Sequence, residues 1–353
     1  MREDFVTQLR LQLRDAADRE ARRGPLGRLW QALRWDASRP AIAGMAVAAV
    51  VALLALVAIP YLRSDETLPA GRDLRLAADS QPLESGGWLL PAFGSVWASD
   101  PAAGEIVRLD RDSRATGRRI PVGGEAGLGA AAGYLWATAG GELLRIDPAS
   151  GETTGRMSLG PEGLGLPVAA GDTVWLIDAM RLRHVDPERM VVDRTVRLDR
   201  GSFMNAGFAA GPDALYVQRA DARILALDPG SGKRTGTIRL ERPGALAAYA
   251  AGGLVLAAED GVATVDPETG EQRWLRRLGV ARVNAIATDI TTLWVQGSPA
   301  SGGRDRLWRL DALDGRVLGS IDLPGYGVAG MAAVGDEAWI VTPGGQLQVV
   351  GPS

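Results

Sequence analysis

The residues of this chain that could do chemistry are few. The single histidine, His184, lies in Arg183-His184-Val185-Asp186-Pro187, and Arg108, Arg145 and Arg309 hold the corresponding place in sister segments. A general base needs a position reserved for its proton transfer; a residue at a repeated position reads as scaffold. Cysteine is absent, which removes disulfides, thiolate nucleophiles, zinc ribbons and iron–sulfur clusters together. The sequence has no P-loop, GxSxG, HExxH or paired-histidine spacing. Gly123-Gly124 and Gly302-Gly303 fall in expected turns, where they have no phosphate to cradle. Aspartate alone recurs in phase, at Asp110, Asp147, Asp186, Asp228, Asp266 and Asp311. One carboxylate per turn falls short of the roughly six to eight oxygens a calcium ion takes. The expectation is therefore no catalytic, cofactor-binding or metal-ligating residue, and no bound cofactor.

These aspartates have a local role. A carboxylate can close an Asx turn, proline fixes φ at the next position, and glycine supplies a positive φ where a hairpin returns. Asp147-Pro148-Ala149-Ser150-Gly151, Asp228-Pro229-Gly230-Ser231-Gly232 and Asp266-Pro267-Glu268-Thr269-Gly270 carry this pattern in full. A second landmark precedes each aspartate: Trp97, Trp136, Trp175, Tyr216, Val255, Trp294 and Trp339, spaced 39, 39, 41, 39, 39 and 45 residues apart, with an aliphatic residue at Val255. Val350-Gly351 stands where a seventh aspartate would fall. Both landmarks count seven units.

Four short strands per unit of about 40 residues read as a blade, and blades arranged radially bury a core that none buries alone. The expected fold is all-β, a seven-bladed propeller over residues 72–353. The last unit ends before an outer strand, while Asp73-Leu74-Arg75-Leu76-Ala77 precedes the first blade unused. Residues 72–77 are therefore expected to complete the C-terminal blade, closing the ring by its two chain ends and removing an exposed edge.

The LWV-like and IDPxTG-like segments resemble the large bacterial β-propeller group that includes YVTN-type, NHL-like, pyrroloquinoline-quinone-like and virginiamycin B lyase-like repeats, over about residues 72–353. The resemblance implies the fold, and function does not follow from fold. Its lyase-like members imply a histidine base with magnesium, against which this chain offers only His184. Its quinoprotein members imply a wide cofactor pocket with stacked aromatics, whereas the ten Trp mostly occupy the repeat's own packing site. A third pattern is that of outer-membrane-associated assembly propellers, which bind unpaired strands.

Ligand or partner binding at the channel mouth remains the leading expectation. Asn205 and Asn284 stand near inner strands where most units carry Ala or Gly. Phe203 and Met204 precede the first, Arg282 the second, and Tyr326 lies at the matching stretch of blade seven. The longest insertion, Gln296 to Arg306, includes Arg304, Asp305 and Arg306, and inserted loops carry function more often than repeat cores do.

The N-terminal quarter sets the address. Residues 41–62, AIAGMAVAAVVALLALVAIPYL, contain no charge, enough to cross a hydrocarbon core about 30 Å thick. The stretch is too long and too far from the start for a cleaved signal peptide. Arg19, Arg22, Arg23, Arg28, Arg34 and Arg39 outweigh Arg63, Arg72 and Arg75, which places the N-terminus in the cytoplasm. The expected organisation is a cytoplasmic amphipathic arm (1–39), a transmembrane signal anchor (40–62), a linker (63–71) and the extracytoplasmic propeller, in a single-pass protein of the cell membrane. Phe5, Leu9 and Leu13 share one face of a helix over residues 2–23 that either docks a cytoplasmic partner or lies on the inner leaflet. This layout matches membrane anti-sigma factors, but the arm lacks the His and Cys ligands of their zinc-binding version. Of 353 residues, 46% are hydrophobic and the net charge is −3, which argues against disorder and against a nucleic-acid partner. The expected function is noncatalytic binding of an extracytoplasmic protein or small ligand, as scaffold or envelope sensor; the alternative is a lyase-like or quinoprotein-like enzyme acting on a small extracytoplasmic substrate.

Overall fold

A computed structural model describes residues 73–160, 165–178, 181–198, 207–219, 221–240, 244–325 and 327–353. The chain divides into Met1–Thr67 and Leu68–Ser353, and every described residue belongs to the second unit. The expected arm, membrane helix and linker lie outside the described residues. The expected propeller is present: seven four-stranded antiparallel sheets, six of them built from consecutive strands. Blade one consists of Leu89–Ala92, Ser95–Asp100, Glu105–Asp110 and Thr116–Pro121, from the inner strand outward.

Turn chemistry shapes each sheet. Asp147 Oδ1 accepts hydrogen bonds from the backbone N–H groups of Ala149 (2.8 Å) and Ser150 (2.7 Å). The N–H of Gly151, at φ 71°, donates to the Asp147 carbonyl at 2.8 Å. The ladder register shifts by one residue beside this turn, between Arg145 and Ile146, which lets the left-handed glycine close the hairpin. Backbone donors hold the Asp147 and Asp186 carboxyls below the usual range. At Asp266 the Arg273 guanidinium, donating at 2.8 Å, adds to two backbone N–H groups and brings the carboxyl down to about 2.

The core lies between blades rather than within them. Trp97, fully buried, packs against Leu135, Ala137 and Leu144 of blade two. Trp136 likewise meets Val174 and Leu176 of blade three, and Trp339 meets Val96 and Val107 of blade one. The exception proves the volume requirement. Where Val255 replaces the aromatic of blade five, the facing third strand of blade six supplies Trp308, 2% exposed, with Trp274 packed beside it. A Cβ on Gly315 would stand 2.5 Å from the Trp274 ring, so only glycine fits there.

The ring closes as expected, slightly further along the chain. Leu74–Ser80, rather than residues 72–77, forms the outer strand of blade seven beside Leu347–Pro352, with Leu74 opposite Pro352 and Ser80 opposite Leu347. Leu74 is buried at 8% exposure against Ala287, Leu323 and Val350, which sets the register. Between this strand and blade one, Asp100 accepts the N–H groups of Glu84 (2.8 Å) and Ser85 (3.0 Å), and Gly86 donates to the Pro343 carbonyl at 3.0 Å.

Two measurements test this account. Trp308→Val should cost about 3 kcal/mol through the cavity it leaves, and Val255→Trp in the same chain should recover part of that loss; a double-mutant cycle from urea unfolding reads the coupling. Asp266 titrates near 2 when folded and about 3.9 when unfolded, so its contribution is full above the unfolded value and lost as pH falls through the folded one. The urea midpoint should drop between about pH 4 and 2, and Asp266→Asn should flatten that drop.

Candidate binding site on blade six

Blade six departs from the repeat at its inner hairpin. Its inner strand, Val280–Thr288, runs nine residues and its second, Thr292–Pro299, runs eight. The ladder continues to Val280 opposite Pro299 and is broken by shifts between Val280 and Arg282 and between Val283 and Ala285. The insertion expected as a loop from Gln296 to Arg306 is thus strand as far as Pro299, because its backbone groups find partners in the lengthened inner strand. The third strand begins at Arg306.

The bulge at Asn284 takes that residue out of alternation and re-aims its side chain. Arg282 Nε donates to Asn284 Oδ1 at 2.7 Å, Asn284 Nδ2 donates to Ser298 Oγ at 3.0 Å, and Ser298 Oγ donates to Asp305 Oδ1 at 2.8 Å. The other Asp305 oxygen accepts the Gly327 N–H at 3.2 Å. Asp305 is 6% exposed, while Arg282 at the far end of the chain of bonds is open to solvent. A buried carboxylate therefore anchors a polar relay that ends in an exposed guanidinium. Among the described inner strands, charged or amide side chains occur only here; the others read LLPA, GLGAA, LPVAA, FAA, ALAAYA and GMAAV.

The structure thus brings together Arg282, Asn284 and Asp305 of the expected site. Arg306 turns away: its Nε donates to Asp322 Oδ1 at 2.6 Å, a bond that raises the guanidinium and lowers the carboxyl. Arg304 is exposed, and its charge adds to the lowering of Asp322. Phe203, Met204, Asn205 and Tyr326 lie outside the described residues, as do Phe5, Leu9 and Leu13. His184 sits edge-on to Trp175 with ring centroids 5.0 Å apart and bonds Asp193 at 2.6 Å. Arg108 and Arg309 lie over Trp97 and Trp294 in the same way, so the histidine holds a repeated stacking position.

Sequence reasoning missed two neighbours, Gln296 and Gln348, which are 0% and 2% exposed. Both amide atoms of Gln296 and the Gln348 Nε2 are buried without a hydrogen-bond partner. Gln218 occupies the equivalent place in blade four and there spans to the next blade, donating to the Gly244 carbonyl (2.5 Å) and accepting the Leu246 N–H (2.7 Å). For Gln296 the signal was the position it shares with Gln218, two residues after Trp294 and Tyr216; Gln348, on the third strand of blade seven, has no such counterpart.

Fold and repeat agree with comparisons against known proteins. Residues 206–353, blades four to seven, match the family described as outer membrane protein assembly factor BamB. The crystal structure of BamB from Moraxella catarrhalis superposes with a TM-score of 0.55 at 14% identity, covering 79% of this chain and 99% of that one. No curated protein matches by sequence. The described residues from 73 onward accordingly form a seven-bladed propeller, similar over residues 206–353 to the BamB family.

Asp305→Ala removes the acceptor for both Ser298 and the Gly327 backbone, and should lower stability by about 1–3 kcal/mol. Arg306→Ala, which breaks only the more exposed pair with Asp322, should cost under about 1 kcal/mol. Urea unfolding distinguishes the two.

Proposed function

We propose that this protein is a noncatalytic binding scaffold whose propeller, held outside the cytoplasm, recognises a protein partner at blade six. One observation carries the reading: among the described inner strands, charged or amide side chains occur only where Arg282 and Asn284 enter the ring, and those two are wired through Ser298 to the buried Asp305. A polar group fixed by such a network presents a defined donor set at little cost in side-chain freedom, which is what selective recognition requires. The BamB match adds the coarser support that a propeller of this kind is named as an assembly factor for outer membrane proteins.

The address belongs to the same proposal. Residues 41–62 serve as the single membrane span, the basic flank keeps the N-terminus in the cytoplasm, and the helix over residues 2–23 rests through Phe5, Leu9 and Leu13 on the inner leaflet or on a cytoplasmic protein. A relay between the two sides would need a bistable element, and scaffolding needs none.

The chain contains no cysteine, so single cysteines report on both halves of the proposal. Cysteine at Arg282 or Arg304 of the full-length protein should react with a membrane-impermeant maleimide in intact cells. A thiol-directed crosslinker on Arg304→Cys, which leaves the Arg282–Asn284–Ser298–Asp305 chain intact, should capture one specific protein, and Asp305→Ala should abolish that adduct. Labelling only after lysis, or an adduct indifferent to Asp305, would overturn the reading.

A further inference from the structure

At the outer rim of the propeller, the start of the third strand, or the residue just before it, lies beside the last residues of the outer strand. Most blades use this place for an ion pair: Arg119 with Glu105 at 3.2 Å in blade one, Arg156 with Glu142 at 3.0 Å in blade two, Arg277 with Asp260 at 3.1 Å in blade five, and Arg306 with Asp322 at 2.6 Å in blade six. Blades three and four each place two arginines opposite one another at this point of the ladder, Arg181 opposite Arg197 and Arg223 opposite Arg239. Like charges directly opposite one another across a ladder destabilise it, and a chain of net charge −3 has no general excess of cations to place.

In blade four the pair borders a cavity of about 720 Å³, lined by Arg223, Arg234, Arg239, Thr235, Thr237 and Thr269 with the backbone of Gly236 between them. Arg223 has Asp221 at 3.6 Å. Among the described residues, neither Arg234 nor Arg239 has a carboxylate within ion-pair distance, and both are exposed. The lining thus consists of guanidinium forks and hydroxyls without a carboxylate, a set suited to an anion with several acceptor oxygens. The cations are also spread. Arg223 and Arg239 hold one end of the strand and Arg234 the other, about 16 Å away at 3.3 Å per residue, so one small ion would leave an end unmatched.

We infer that the outer groove of blade four is a binding site for an extended ligand bearing more than one phosphate group, at a place distinct from the blade-six site. Phosphate offers more acceptor oxygens per charge than carboxylate, and the hydroxyls of Thr237 and Thr269 supply donors beyond the arginines, while Thr235 gives its own proton to the Ala226 carbonyl at 3.1 Å. Such groups come either from a soluble phosphate polymer or from the headgroups of an anionic lipid surface.

The test uses the full-length protein at low salt with three probes: a short inorganic polyphosphate, vesicles of phosphatidylglycerol and phosphatidylcholine against phosphatidylcholine alone, and polyglutamate. Binding to polyphosphate or to the anionic vesicles is expected, and whichever binds names the source. Arg234→Glu with Arg239→Glu should weaken it by about tenfold or more, while Arg156→Glu, the same kind of reversal in blade two, should leave it unchanged. Arg239→Gln should melt at or above the wild-type temperature, since it relieves the Arg223–Arg239 repulsion. The inference is overturned if neither phosphate probe binds, if polyglutamate binds equally well, if Arg156→Glu is as damaging, or if Arg239→Gln melts well below the wild type.

Discussion

The ladder between Leu74–Ser80 and Leu347–Pro352 is the constraint on which every other contact rests. A blade buries its faces only against its neighbours, so an open ring would expose the flanks of blades one and seven at once. In this chain the closing sheet takes its outer strand from one end and its other three from the opposite end. Leu74 adds a hydrophobic lock to the backbone pairing by packing toward blade six. The segment that follows is then tied to both blades it separates, through Asp100 of blade one and Pro343 of blade seven.

Within the closed ring, each blade solves the same two problems with small variations. In blades one to six the third-to-outer hairpin is held by an aspartate whose oxygens satisfy backbone donors, and the space between blades is filled by large side chains, most of them aromatic. The Val255 and Trp308 pair shows that the volume matters more than the strand that supplies it, as expected of interiors packed to crystal-like density. Departures that packing does not explain are therefore informative. The broken inner hairpin of blade six and the paired arginines of blades three and four are of that kind, and they occupy different parts of the ring.

Much of this was legible from residue spacing, because the landmarks are local. The aspartate turns and the second-strand aromatics depend on neighbours within a few positions, so one or the other marked every blade, and the unused strand near Leu74 followed from counting what the last blade lacked. The exchange of bulk between Val255 and Trp308 was not legible, since it depends on which faces meet across an interface. The site was legible in part. Arg282, Asn284 and Asp305 were singled out as departures from the repeat, but the bulge that joins them arises from ladder register, which spacing does not encode. Arg306 was grouped with them as a neighbour in sequence, yet alternation along its strand sends it to Asp322. Gln296 was read as loop because an insertion looks the same in sequence whether it lengthens a hairpin or bulges from it.

The closing strand also has a consequence for how the protein is made. Ser80 leaves the ribosome about 270 residues before Leu347, its partner in the finished sheet. At about 5–20 residues per second, that gap is roughly 14–54 s. During it the first-made strand has no partner and the growing fan of blades keeps a free edge of the kind that invites pairing with other chains. Arg75 and Asp79 place charges on this waiting strand, where they discourage a wrong partner until Leu347–Pro352 emerges. Closure of the ring thus waits for the synthesis of Leu347–Pro352, and a chain cut before that strand would be left as an open arc.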